Sequence, residues 1–119
     1  MTINEISQKA WQCAKKRDAY GNDPETAIID KLKEEVEELK NAFLKDRDCF
    51  PIGIKFFRAF VKSSPKISFI NAFETIIKNS KGDELSDIII VCLAAARELG
   101  IDIETHLELK LEYNEDRED

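Results

Sequence analysis

Basic residues, histidine, cysteine and long apolar runs are all in short supply in this sequence, and each shortage excludes something. There are 18 Lys and Arg against 24 Asp and Glu, a formal net charge of −6 in 119 residues. That balance argues against a nucleic-acid polymer as the main partner, because phosphate contacts need clustered Lys and Arg. It leaves a small phosphate ligand open, since a bound divalent cation reverses the local sign. One histidine gives His-rich metal sites and a Ser-His-Asp triad little to work with. Cys13, Cys49 and Cys92 are odd in number, and none sits in a C-x-x-C pair. The expectation is three reduced thiols in a cytoplasmic protein, not a disulfide framework or a zinc site. The longest apolar run, Ile88 to Ala96, falls well short of the roughly 20 residues that span a bilayer. Residues 1–10 have no basic segment leading into an apolar one, so neither a secretory signal nor a membrane association is expected. No P-loop glycine motif is present.

What is there reads as one all-α domain over residues 1–119, with a hydrophobic fraction of 43% that suffices for a core. Thr2-x-x-Glu5 forms a capping box for a first helix running to about Ala19. Tyr20-Gly21-Asn22 breaks it, and Asp23-Pro24 supplies the N-cap and first position of a helix to Leu44. Asp46 to Gly53, with Pro51, reads as a loop. Two shorter helices follow at Ile54–Val61 and Ile67–Ile77, separated by Ser63-Ser64-Pro65. Asn79 to Gly82 reads as a turn, with Asp83 capping a long helix that Leu99-Gly100 ends. Asp102 caps a last helix running through Tyr113, and the acids from Glu115 to Asp119 fray.

The acids within these helices differ in direction. At about 100° per residue, an apolar stripe of Leu32, Val36, Leu39 and Phe43 sets the expected core-facing side. Glu34 points to the opposite side, and Glu37 lies well round one flank. Glu35 and Glu38 share a flank one turn apart, so their carboxylates can converge near the core edge. Glu84 and Asp87 repeat the i, i+3 spacing immediately before Ile88-Ile89-Ile90-Val91-Cys92-Leu93, a segment expected to be buried on most sides. Buried carboxylates require basic partners or a metal. Two such pairs on two core-bound helices make a hard oxygen site suited to Mg²⁺ or Mn²⁺. The alternative is that all four are solvated acids, with Glu84 and Asp87 favouring the macrodipole of their helix. On the last helix, Ile103, Leu107, Lys110, Asn114 and Arg117 form one stripe whose polar end could face carboxylates or phosphates.

Glu34-Glu35-Val36-Glu37-Glu38-Leu39, Glu84-Leu85-Ser86-Asp87, Leu99-Gly100-Ile101-Asp102-Ile103 and Lys110-Leu111-Glu112-Tyr113-Asn114-Glu115-Asp116-Arg117 resemble the MazG-like branch of the all-α nucleoside triphosphate pyrophosphatases. The resemblance covers about residues 24 to 117 and is densest from Phe73 onward. It implies Mg²⁺-dependent cleavage between the α and β phosphates, giving a nucleoside monophosphate and pyrophosphate. Housecleaning of non-standard or deoxy nucleotides would fit. It places metal-binding and catalytic carboxylates at Glu35, Glu38, Glu84 and Asp87, and phosphate contacts at Lys110, Asn114 and Arg117. The chain departs from the simplest members in the length of residues 39 to 83, which hold the two extra short helices. Trp11 and Tyr20 are the nearest candidates for base stacking, and neither belongs to a motif. His106 reads as a packing or surface residue.

The aromatic residues Phe56, Phe57, Phe60, Phe69 and Phe73 suggest a homo-oligomer, a dimer in the simplest case, with these side chains at the interface or over the site. Two rival readings stand beside the enzyme. One is a catalytically silent helical interaction module that kept the fold. The other is a redox di-metal bundle, disfavoured because neither acid pair has the E-x-x-H form.

Overall fold

The computed structural model describes residues 1–45, 53–64 and 66–117. The expected loop at 46–52 with Pro51, the thiol Cys49, Pro65 and the last two acids lie outside the described residues. Among the described residues the regular structure is entirely helical, as the sequence pattern requires: α1 (Ile3–Lys16), α2 (Pro24–Leu44), a 3₁₀ turn (Ile54–Phe56) leading into α3 (Phe57–Lys62), α4 (Phe69–Ile76), α5 (Lys81–Glu98) and α6 (Ile103–Asp116). No helix is long and apolar enough to cross a membrane.

Local chemistry sets most of the boundaries. At α1 both arms of the capping box are made: Thr2 Oγ1 accepts from the Glu5 N–H at 3.1 Å and Glu5 Oε1 from the Thr2 N–H at 3.2 Å. The helix stops at Lys16, before the expected Ala19, because Asp18 enters the left-handed region at φ 51°. Asp23 caps α2 through both the N–H and the hydroxyl of Thr26, with Pro24 at the first helical position, where no N–H is required. Ser68 caps α4, and Asp102 caps α6 by accepting from the Thr105 N–H. At the end of α5, Gly100 adopts φ 70°. Its N–H reaches the Arg97 carbonyl and the Ile101 N–H reaches that of Ala96. This is the Schellman pattern that a left-handed residue just past a helix permits.

The start of α5 differs from the sequence expectation. The helix begins at Lys81, not Asp83, and Gly82 lies inside it. Ser80, with no exposed surface, is the capping residue. Its Oγ accepts from the Asp83 N–H at 3.2 Å, while Asp83 Oδ2 accepts from the Asn79 N–H at 2.8 Å. Two reciprocal bonds thus fix the turn and offset the cost of a helical glycine, about 1 kcal/mol against alanine.

The chain forms two compact units. One comprises residues 1–32 and 89–119, the other residues 33–88. The core of the first is built on Ala10, Ala14, Tyr20, Ile28, Ala94 and Ala95, with Trp11 and Leu32 against it. Alanines on α1 and α5 leave room for close approach, and Ser7 Oγ donates to the Leu93 carbonyl at 2.6 Å. The core of the second joins Phe57, Ala72 and Ile77, with Val61, Phe73 and Ile76 partly buried around them. Phe57 and Phe69 meet edge to face at 5.9 Å, a contact worth about 0.5–1.5 kcal/mol beyond its buried area.

Two packing expectations are corrected. On α2, Val36 and Phe43 are exposed, while Ile28, Glu35 and Ala42 are buried, with Leu32 and Leu39 half-buried between them. The inward line therefore runs through residues 28, 35 and 42, at seven-residue spacing. The helix carries apolar residues on two sides, so apolar content alone does not choose between them. On α5, Leu85, Ile89, Ile90 and Cys92 are exposed and Ile88 and Val91 half-buried, and the buried apolar residues run only from Leu93 to Ala96.

Candidate metal centre

Glu35 sits on the inward line of α2, and Glu84 lies in the first turn of α5, four residues after its cap. Their exposures are 5% and 3%, and no other charged residue among those described is buried. Glutamate is almost never enclosed unless it is paired. One turn further along their helices, Glu38 is exposed and Asp87 half-buried. One carboxylate oxygen from each of Glu35, Glu38, Glu84 and Asp87 can be chosen so that all lie within 4.8 Å of one another. The i, i+3 spacing on each helix makes each pair. The cap that moves the start of α5 back to Lys81 keeps Glu84 in helical geometry, so that its pair meets that of α2. All four residues belong to the unit of residues 33–88.

Within this cluster Glu84 is in an unfavourable electrostatic position. Glu84 Oε2 is enclosed and makes no hydrogen bond within the described residues. Burial first, and then the charges of Glu38, Asp87, Asp83 and Glu35, push its carboxyl up to about 7. A buried acceptor left unsatisfied costs about 1–3 kcal/mol, more when charged. A hard divalent cation answers both defects: it takes oxygen ligands, and its charge offsets the mutual repulsion of the four acids. The donor set contains neither sulfur nor nitrogen, which fits Mg²⁺ or Mn²⁺ and not a softer metal.

Beside the carboxylates lies an open pocket of about 220 Å³ lined by Glu38, Asn41, Ala42, Lys45, Asn79 and Glu84. Sequence reasoning did not single out Asn41, Lys45 or Asn79. Asn41 follows Glu38 at i+3 on α2 and Lys45, at i+7, is the residue after the helix ends, a spacing readable in the sequence. Asn79 is at the pocket only because the turn before α5 takes a left-handed conformation there, at φ 67°.

The expected phosphate-contacting residues lie on α6, in the other unit. Lys110, Asn114 and Arg117 are all exposed. The Lys110 ammonium stands over the Tyr113 ring at 4.8 Å and the Arg117 guanidinium at 5.4 Å. Of the two aromatic candidates, Tyr20 belongs to the core of the first unit. Its hydroxyl is pushed above its ordinary pKa by burial and then by Glu98. Trp11 Nε1 donates to Glu98 at 2.9 Å. Both rings are thus used in packing. His106 is exposed. Cys13 and Cys92 are exposed free thiols. Comparison with protein-family models, with curated proteins and with solved structures gives no match to this chain.

Proposed function

We propose that the protein is a Mg²⁺-dependent nucleoside triphosphate pyrophosphohydrolase of the cytoplasm, acting on non-standard or deoxy nucleotides among others. The observation that carries the reading is the convergence of four carboxylates from α2 and α5, two of them buried. The resemblance of the acid motifs to the MazG-like pyrophosphatases supplies the reaction class. Glu35, Glu38, Glu84 and Asp87 would hold the cation, with Mn²⁺ able to replace Mg²⁺. When bound, the cation supplies neutralisation of phosphate charge and acidification of water. The four carboxylates would hold it from two helices, and the burial of Glu35 and Glu84 would keep bulk water from those two side chains. In the overall reaction water would add to the α or the β phosphorus, the bond from that phosphorus to the α–β bridging oxygen would break, and monophosphate and pyrophosphate would leave. Lys110, Asn114 and Arg117 carry the charge and amide donors for further phosphate contacts.

The same proposal includes a homo-oligomer, a dimer in its simplest form. Its support is the exposed apolar line Ile29, Val36 and Phe43 on α2, together with exposed Phe56 and Phe69. Phe57 is enclosed by its own chain and is not part of such an interface. A second reading, a silent helical interaction module, is favoured by α6 alone, where Leu107, Leu109, Leu111 and Tyr113 are all exposed.

A panel of NTPs and dNTPs incubated with the protein and Mg²⁺ separates the readings. Monophosphate and pyrophosphate should appear, and Glu38→Gln and Asp87→Asn should each abolish turnover with helicity retained. Orthophosphate as the product, or unchanged turnover in both variants, overturns the mechanism. No turnover on any nucleotide favours the silent module.

A further inference from the structure

We infer that the pocket between Asn41, Lys45 and Asn79 receives the distal phosphates of the substrate, the part that leaves as pyrophosphate, and that the substrate is held here independently of its base. The inference rests on the metal-centre reading above and adds residues which that reading does not use.

The argument is one of size, chemistry and position. A pocket of about 220 Å³ lies below the roughly 300–1,000 Å³ of sites that enclose a whole small-molecule ligand. It therefore suits a fragment. Its lining has no aromatic ring and a single apolar side chain, Ala42, so it offers a base nothing to stack on. What it offers are donors: the Lys45 ammonium and the side-chain amides of Asn41 and Asn79. Lys45 follows the last residue of α2, its N–H donates to the Asn41 carbonyl at 3.1 Å, and its side chain lines the pocket with Asn41 and Glu38. Asn79 stands on the opposite side, on the turn that the Asn79–Asp83 and Ser80–Asp83 bonds hold in place. Glu38 and Glu84 close the pocket at the end where the cation would sit. Phosphate oxygens placed there would lie between a metal on one side and an ammonium with two amides on the other. The same two carboxylates repel a bare anion, so binding here requires the divalent cation. The nucleoside, too large and too apolar for this space, must extend away from it, which makes the phosphate end the end recognised.

The test is calorimetric titration of the full-length protein with inorganic pyrophosphate, with and without Mg²⁺, alongside direct measurement of Mg²⁺ binding. Wild type should bind pyrophosphate only with Mg²⁺ present. Lys45→Ala should keep its helicity and its Mg²⁺ affinity and lose about tenfold or more in pyrophosphate affinity, the scale of one charge-assisted contact. Asn41→Ala should lose a smaller factor, and Lys45→Arg should restore most of the loss. In turnover, Lys45→Ala should raise KM by the same factor for every base. Retained Mg²⁺ binding with pyrophosphate affinity unchanged in Lys45→Ala overturns this inference and leaves the metal centre standing. A loss that varies from base to base also overturns it. A wild-type protein that binds no Mg²⁺ overturns both.

Discussion

Glu84 concentrates the tension of the site in one side chain. Its carboxyl is almost wholly enclosed, faces three other acids of the cluster, and holds its proton to about pH 7, against 4.5 for an ordinary glutamate. In that window the folded state binds a proton that the unfolded state has released. The stabilising contribution is therefore complete below pH 4.5 and is lost as the pH rises through 7. The metal-free protein should lose on the order of 3 kcal/mol of stability between pH 4.5 and 8. A falling melting temperature across that range reads this out, and Mg²⁺ added at pH 8 should recover it. Glu84→Gln should flatten the pH profile, raise the metal-free melting temperature at pH 8 by several degrees, and abolish the response to Mg²⁺. A wild-type profile that is flat with pH, or a Glu84→Gln protein that Mg²⁺ still stabilises, would count against this assignment.

At the scale of the element, the turn before α5 decides where Glu84 lies. Ser80→Ala removes a buried cap and should cost about 1–2 kcal/mol in urea unfolding, with Mg²⁺ affinity falling in parallel because the first turn carries the ligand. Unchanged metal affinity in a destabilised Ser80→Ala protein would separate cap from site. This turn also shows where the sequence was legible and where it was not. Thr2, Asp23, Gly100 and Asp102 act locally, within three or four residues, and each bounds its helix as the pattern predicts. The start of α5 escaped because Asn79-Ser80-Lys81-Gly82 has the composition of a turn, although the two bonds that extend the helix through Gly82 are as local as the other caps. The two acid pairs were legible because i, i+3 spacing fixes a shared helix face. The inward line of α2 was not, since Ile28, Leu32, Leu39 and Ala42 on one side compete with Ile29, Val36 and Phe43 on another. The carboxylate that marks the buried side carries no hydropathy signal. Asn79 enters the pocket through a backbone angle, which spacing cannot announce.

At the scale of the whole molecule, the exposed side of α2 calls for a partner surface. Val36 and Phe43 are each about half exposed. Sedimentation at micromolar concentration should give a dimer, and Val36→Lys with Phe43→Lys should give a folded monomer. A wild-type monomer at that concentration would remove the oligomer from the account. The net charge of −6 takes on a different meaning once its positions are known. Glu34 and Glu37 are separate exposed charges, whereas one carboxylate oxygen from each of Glu35, Glu38, Glu84 and Asp87 comes within 4.8 Å of the others, the proposed place for a cation and, through it, a polyanion. The most direct measurement is a Mn²⁺ titration of the full-length protein at pH 8, followed by the electron paramagnetic resonance signal of the free ion. Saturable loss of that signal, reversed by excess Mg²⁺ and absent from a folded Glu35→Gln, Glu84→Gln double variant, is the expected result. Equal uptake by wild type and double variant, or none by either, would contradict it.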